Sequence, residues 1–96
     1  MDIYIQNEKG ISLQEWLDFI SRDNELVLSE SGEGINPITK QKLRIQIPGR
    51  VLFRDSEIIY RNGLIGSDDY SEELVAKMKE IAKAFDADFS SIEFSP

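Results

Sequence analysis

A chain of 96 residues with 18 acidic and 11 basic side chains carries a net charge of −7, and it contains neither histidine nor cysteine. Those two absences remove the usual neutral-pH proton shuttle, the thiolate nucleophile and the nitrogen and sulfur ligands of zinc. The length suits one domain spanning 1–96, and 41% apolar content with Trp16, five Phe and three Tyr can furnish one modest core.

From Asp2 to Gln6 polar and apolar residues alternate, so Ile3 and Ile5 share one face of a strand. Asn7–Gly10 is a polar turn. Ser12 followed by Glu15 makes a capping box, and Ile11 with Trp16 makes the hydrophobic staple around it. Leu13, Trp16, Leu17 and Ile20 then form one apolar stripe, predicting a helix over about 13–21. Glu25–Ser29 reads as a short strand, and Glu30–Thr39, with Gly32, Gly34 and Asn36-Pro37, reads as a loop.

Lys42–Ile47 alternates cleanly, which predicts Leu43, Ile45 and Ile47 inward and Lys42, Arg44 and Gln46 outward. Pro48-Gly49 suits a type II turn, after which Arg50–Arg54 returns. Asp55-Ser56 turns the chain again and Glu57–Arg61 runs back. Asn62-Gly63 is a strong hairpin signal leading into Leu64-Ile65. A second helix is expected from Asp68 or Asp69, with acids in its first turn, lysines after them and a Glu73–Lys77 pair at i, i+4. Phe89–Phe94 is expected as a last strand, at the sheet edge or beside the first strand. The sum is an α+β fold with two helices on one face of a mostly antiparallel sheet, in the order β-α-β-ββββ-α-β.

The first ten residues lack the pattern of a signal peptide, and no apolar run approaches the ~20 residues of a membrane helix, so a cytoplasmic protein with no membrane contact is the expectation. The charge is segregated along the chain: residues 1–39 carry −6, residues 40–61 carry +4 and residues 62–96 carry −5. Among the acids, Asp23, Glu25, Glu30 and Glu33 surround a short strand and a loop, where they can dock on a basic surface of another protein. Lys42, Arg44, Arg54 and Arg61 are the alternative, a basic strand face for a ligand or nucleic acid, although the acidic domain as a whole disfavours a polyanion. Asp69 and Glu73 share a helix face and are the best oxygen pair for a hard cation, but first-turn acids are expected there for capping alone. The Ser31-Gly32-Glu33-Gly34 run lacks the lysine and the helix start of a phosphate loop.

Ile11–Trp16, Asp23-Asn24-Glu25-Leu26, Gly34-Ile35-Asn36-Pro37-Ile38-Thr39 and the Met78–Ala87 helix end together resemble a group of small, uncharacterised, acidic bacterial single-domain proteins. That group is associated with polymorphic toxin and secretion-system loci, where small acidic neighbours act as immunity proteins. This chain has Lys40 where a glycine is expected after the Asn-Pro-x-Thr turn, and Ser90-Ser91-Ile92-Glu93 where a glycine- and acid-rich turn is expected. The resemblance implies a bacterial binding protein and assigns no site residue. The resulting expectation is a non-enzymatic protein-binding domain with no cofactor or metal, whose partner is another protein such as a basic toxin domain. An exposed strand edge could also pair two copies across a two-fold axis.

Overall fold

The computed structural model describes residues 2–91. Strand β1 (Ile3–Gln6) leads into helix α1 (Leu13–Arg22), and strands β2 (Val27–Leu28), β3 (Ser31–Ile35), β4 (Lys42–Gln46), β5 (Val51–Phe53), β6 (Ser56–Arg61) and β7 (Leu64–Ser67) follow. Helix α2 (Glu72–Ala84) and strand β8 (Asp88–Ser91) complete the described chain. Six strands form a sheet in the order β2-β5-β6-β7-β1-β8, antiparallel at every pairing, and β3 with β4 forms a second, two-stranded sheet. The expected α+β order holds, and the segment read as a loop contributes one further strand, β3.

Local sequence chemistry sets the ends of both helices. Ser12 Oγ accepts the Glu15 N–H at 3.1 Å, the serine half of the capping box, and the staple residues Ile11 and Trp16 are both buried. Removing this cap with Ser12→Ala is expected to cost about 1 kcal/mol, readable as a lower urea midpoint at unchanged slope. Helix α2 starts at Glu72 behind the N-cap Ser71, whose side chain accepts the Leu74 N–H at 3.0 Å. The expected start at Asp68 or Asp69 is therefore too early. Asp69 is held back by two backbone bonds: its N–H donates to Ser67 Oγ at 3.0 Å, and its carboxylate accepts the Glu57 N–H at 2.8 Å.

Both helices bury their apolar stripes in one core against the sheet. Trp16 and Ile20 of α1 and Leu74, Met78 and Ile81 of α2 join Ile3, Ile5, Val51, Phe53, Ile58 and Ile65 in a single cluster. Burying each such side chain contributes roughly 1.5–3 kcal/mol. Phe19 and Phe85 extend this contact: their rings lie 5.3 Å apart, and Trp16 stacks on Phe19 at 6.0 Å.

The Asn62-Gly63 turn forms as predicted, with φ of 50° and 85°, the two positive values of a type I′ hairpin. The turn between β5 and β6 falls at Arg54-Asp55, one residue before its expected place, because Phe53 pairs with Ser56. Strand β8 pairs with β1 and is also the sheet edge, so both expectations for the last strand are met over Asp88–Ser91. Ile92, Glu93 and Phe94 of that expected strand lie outside the described residues.

Pro48-Gly49 makes its turn, with Gly49 at φ 79° and the Arg50 N–H donating to the Ile47 carbonyl at 3.2 Å. It does not, however, close a hairpin between β4 and β5. Strand β4 pairs with β3, and β5 pairs with β2 and β6. The pairing of Leu28 with Val51, continued without interruption, would set Ser31 opposite Pro48, yet Ser31 faces Gln46. The turn thus inserts two extra residues into one side of a long bent hairpin. Beyond the insertion, β3 and β4 leave the main sheet as an arm.

Candidate interaction surface

The base of the arm is fixed by polar contacts to the core. Gly49 is buried, its carbonyl accepts Trp16 Nε1–H at 2.7 Å, and its N–H donates to the Glu30 carboxylate at 3.0 Å. Arg50 lies beside it, donating from Nη1 to the Ser29 carbonyl and hydroxyl at 3.1 Å each and from Nε to Glu57 at 2.6 Å. Tyr60 OH donates to the Ile11 carbonyl at 2.6 Å nearby, tying α1 to the sheet.

The arm itself is bare. Every residue of β4 is exposed, including Leu43 and Ile45 at 44% each, so the inward face expected for them does not form against the core. Cross-strand pairing explains why they lie open. Leu43 and Ile45 sit opposite Gly34 and Gly32, which have no side chains to cover them, and Ile45 Cδ1 lies 2.5 Å from where a Cβ of Gly34 would be. The other face pairs Ile35, Glu33 and Ser31 with Lys42, Arg44 and Gln46. At the tip, Asn36 Oδ1 accepts the N–H groups of Ile38 and Thr39 at 2.9 and 3.2 Å. Lys40 closes the tip at φ 60°, the left-handed conformation that favours the glycine expected at this place.

Seven large apolar side chains are exposed among the described residues, and six of them fall between positions 27 and 45: Val27, Leu28, Ile35, Ile38, Leu43 and Ile45. Single exposed apolar residues are ordinary, whereas here four lie on the arm and two on the adjoining edge strand β2. The sequence carried a signal for it. Gly32 and Gly34 alternate with Ser31, Glu33 and Ile35, a strand pattern whose second face is only backbone.

The four carboxylates expected to form a docking patch separate into three settings. Asp23 and Glu25 converge on Lys77, whose ammonium lies 2.6 Å from one and 2.9 Å from the other. Glu80 adds a third carboxylate at 2.7 Å. Glu30 is committed to Gly49 at the arm's base, and Glu33 alone sits on the arm.

Lys77 is buried, with its side chain 4% exposed, and its ammonium also stands 5.8 Å from the Phe53 ring centroid. Burial by itself would lower its pKa, but hydrogen bonds to Asp23, Glu80 and Glu25 outweigh burial and hold it well above the usual lysine value. Burial likewise would raise Asp23. The Lys77 hydrogen bond, the Glu25 N–H and the Lys77 charge outweigh that and hold its carboxyl below the usual value. The ligand atoms of Asp23, Glu25 and Glu80 lie within 4.8 Å of one another, and Lys77 supplies the cation that these carboxylates surround.

The alternative basic face is not assembled as one surface. Lys42 and Arg44 are on the arm, Arg54 forms an ion pair with Glu73, and Arg61 stands at the β6–β7 turn. The Arg54 pair also takes Glu73 away from Lys77, its expected helical partner. The Asp69–Glu73 cation pair is divided in the same way, Asp69 going to the Glu57 backbone and Glu73 to Arg54. Among the described residues, Lys40, Lys42 and Arg44 form no ion pair, so the arm presents three uncompensated cations beside Glu33. No helix among the described residues is long and apolar enough to cross a membrane. Comparison with known proteins finds no family model, no curated protein and no solved structure that matches this chain.

Proposed function

We propose that this protein is a non-enzymatic protein-binding domain that uses the β3–β4 arm, with the neighbouring β2, as its contact surface. The observation that carries the reading is the concentration of exposed apolar side chains, Ile35, Ile38, Leu43 and Ile45 on an arm that covers none of the core and Val27 and Leu28 on the adjoining edge strand. Such a surface is characteristic of elements that become buried in a complex. The rigid base formed by Gly49, Glu30 and Arg50 supports it, because a pre-positioned arm loses less entropy on binding than a loose loop. Immunity-type inhibition of a toxin is the specific role suggested by the resemblance to small acidic bacterial proteins. In that role the arm would make the contact, while Asp23, Glu25 and Glu30 serve mainly to build the body.

Co-purification of the adjacent gene's product with the tagged chain tests this reading directly. The double variant Leu43→Thr/Ile45→Thr keeps β-forming side chains but removes the apolar face. It is expected to weaken that complex about tenfold or more while leaving the unfolding midpoint unchanged, since both residues are already exposed. Equal binding by the variant would remove the arm from the interface. The uncompensated Lys40, Lys42 and Arg44 support a second reading, a β-ribbon that enters a nucleic-acid groove. Retention of the chain on heparin at low salt, lost on Lys42→Glu/Arg44→Glu, is its expected mark.

A further inference from the structure

Among the described residues, β3 and β4 bond only to each other, which leaves both strands of the arm with an unpaired outer edge. The direction of their hydrogen bonds fixes what β4 offers outward. The Ile47 N–H donates to the Glu30 carbonyl and the Asn36 N–H to the Gln41 carbonyl, so these are hydrogen-bonded pairs. In an antiparallel ladder such pairs alternate, and two-residue steps along the register place Leu43 and Ile45 in the bonded set. Their backbone groups therefore face β3, and the N–H and C=O groups of Lys42, Arg44 and Gln46 point away from it.

Two of the three residues that offer outward backbone groups, Lys42 and Arg44, thus also carry two of the arm's three positive charges. On the opposite face, Leu43 and Ile45 lie uncovered because β3 has only glycines there. We infer that β4 accepts an extended segment of another protein as an added strand, one in which acidic and apolar residues alternate. The acids of that strand face Lys42 and Arg44, and its apolar residues close over Leu43 and Ile45. Main-chain bonds to Lys42, Arg44 and Gln46 hold the strand, and the alternation selects it.

The same charges argue against a second copy at this edge. Two β4 strands paired about a two-fold axis at Leu43 or Arg44 would set Arg44 against Lys42 or against itself, and like charges directly opposite are destabilising. An axis at Ile45 sets Arg44 against Gln46 but brings Lys42 opposite Pro48, which has no N–H to donate. The occupant's acidity also follows from the field. Residues 31–46 carry three cations against Glu33, a net +2 on a chain of −7, so the arm is the positive end of an acidic molecule.

This inference rests on the arm being the contact surface, and its test is independent of the partner's identity. The probe is a synthetic peptide of alternating valine and glutamate, titrated into the full isotope-labelled chain, with a valine–lysine peptide as control. The valine–glutamate peptide should shift the amide signals of Lys42, Arg44 and Gln46 and slow their hydrogen exchange, while those of Leu43 and Ile45, already bonded to β3, change little. Lys42→Glu/Arg44→Glu should weaken binding of the valine–glutamate peptide about tenfold or more and bring in the valine–lysine peptide. The inference is overturned if both peptides bind alike, if the shifts map to β2 or β8, or if millimolar peptide leaves these amides unmoved. It is equally overturned if the same amides respond to protein concentration alone, which assigns the edge to a second copy, or only to a nucleic-acid duplex. Loss of a natural partner by the Leu43/Ile45 variant alongside peptide failure would retain the contact surface and reject strand addition.

Discussion

Gly49→Ala is expected to lower the thermal unfolding midpoint by roughly 15 °C, from a loss of about 3 kcal/mol in a domain of this size. Two costs combine. Gly49 adopts φ 79°, where a Cβ is strained by its own backbone. That Cβ would also lie 2.9 Å from Tyr60 Cβ, 3.0 Å from Leu13 Cδ1 and 3.1 Å from Trp16 Cδ1. Relief by moving the Gly49 backbone would lengthen the Trp16 Nε1–H bond to its carbonyl, leaving a buried indole donor without its partner. Gly10→Ala separates the terms. Gly10 has a similar φ of 74°, but the nearest atom to its Cβ is 4.0 Å away, so only the backbone cost of about 1 kcal/mol is expected. Paired unfolding curves with tryptophan fluorescence as the probe make the comparison. Equal midpoints for the two variants would show that the crowding at Gly49 is relieved without loss of the Trp16 contact.

Gly49 also marks how far the sequence could be read. The Pro48-Gly49 turn, the Ser12 cap and the Asn62-Gly63 hairpin were legible because each is decided within four residues by side-chain bonds or preset backbone angles. Which strands a turn joins is decided elsewhere. Pro48-Gly49 has the chemistry of a hairpin turn, but β2 and β3 supply a partner on both sides of it, so it becomes an insertion in a longer ladder. The Ser31–Ile35 segment was hidden for a related reason: Gly32 and Gly34 disfavour a strand locally, and only their pairing with Ile45 and Leu43 turns them into one. The alternation in Lys42–Gln46 was real, but alternation shows that two faces differ and does not show that one is buried. The acidic candidates were separated by the same non-local choices, since Lys77 of α2 is more than fifty residues from Asp23 and Glu25 and becomes their partner only when the fold brings it to the C-cap of α1.

Lys77→Met should make stability rise as pH falls from 7 toward 4.5, a range over which the native Asp23–Lys77 pair contributes a constant amount. In the native protein Asp23 is held below its unfolded value of 3.8, so its contribution is present above that pH and is lost as pH falls through the lower, folded value. Lys77 is held above 10.5, so its contribution is complete below that pH and is lost as pH rises through the higher, folded value. Together they give a plateau between about pH 4 and 10. Methionine keeps an unbranched side chain at this buried position but removes the ammonium, leaving Asp23, Glu25 and Glu80 around an uncharged group. Breaking a buried pair on one side costs 3–5 kcal/mol in a dry interior, and the exposure of Glu25 at 52% and Glu80 at 61% lets water recover part of it, so about 2 kcal/mol is expected at pH 7. Asp23, left beside two other carboxylates without its cation, should bind its proton more readily folded than unfolded, so the variant should gain stability relative to the native protein from pH 7 toward 4.5. Urea unfolding of both proteins across that range gives the two slopes. Parallel pH curves would mean that the carboxylates turn into solvent once the lysine is gone, and that Lys77 organises them instead of relieving a repulsion already built into the fold.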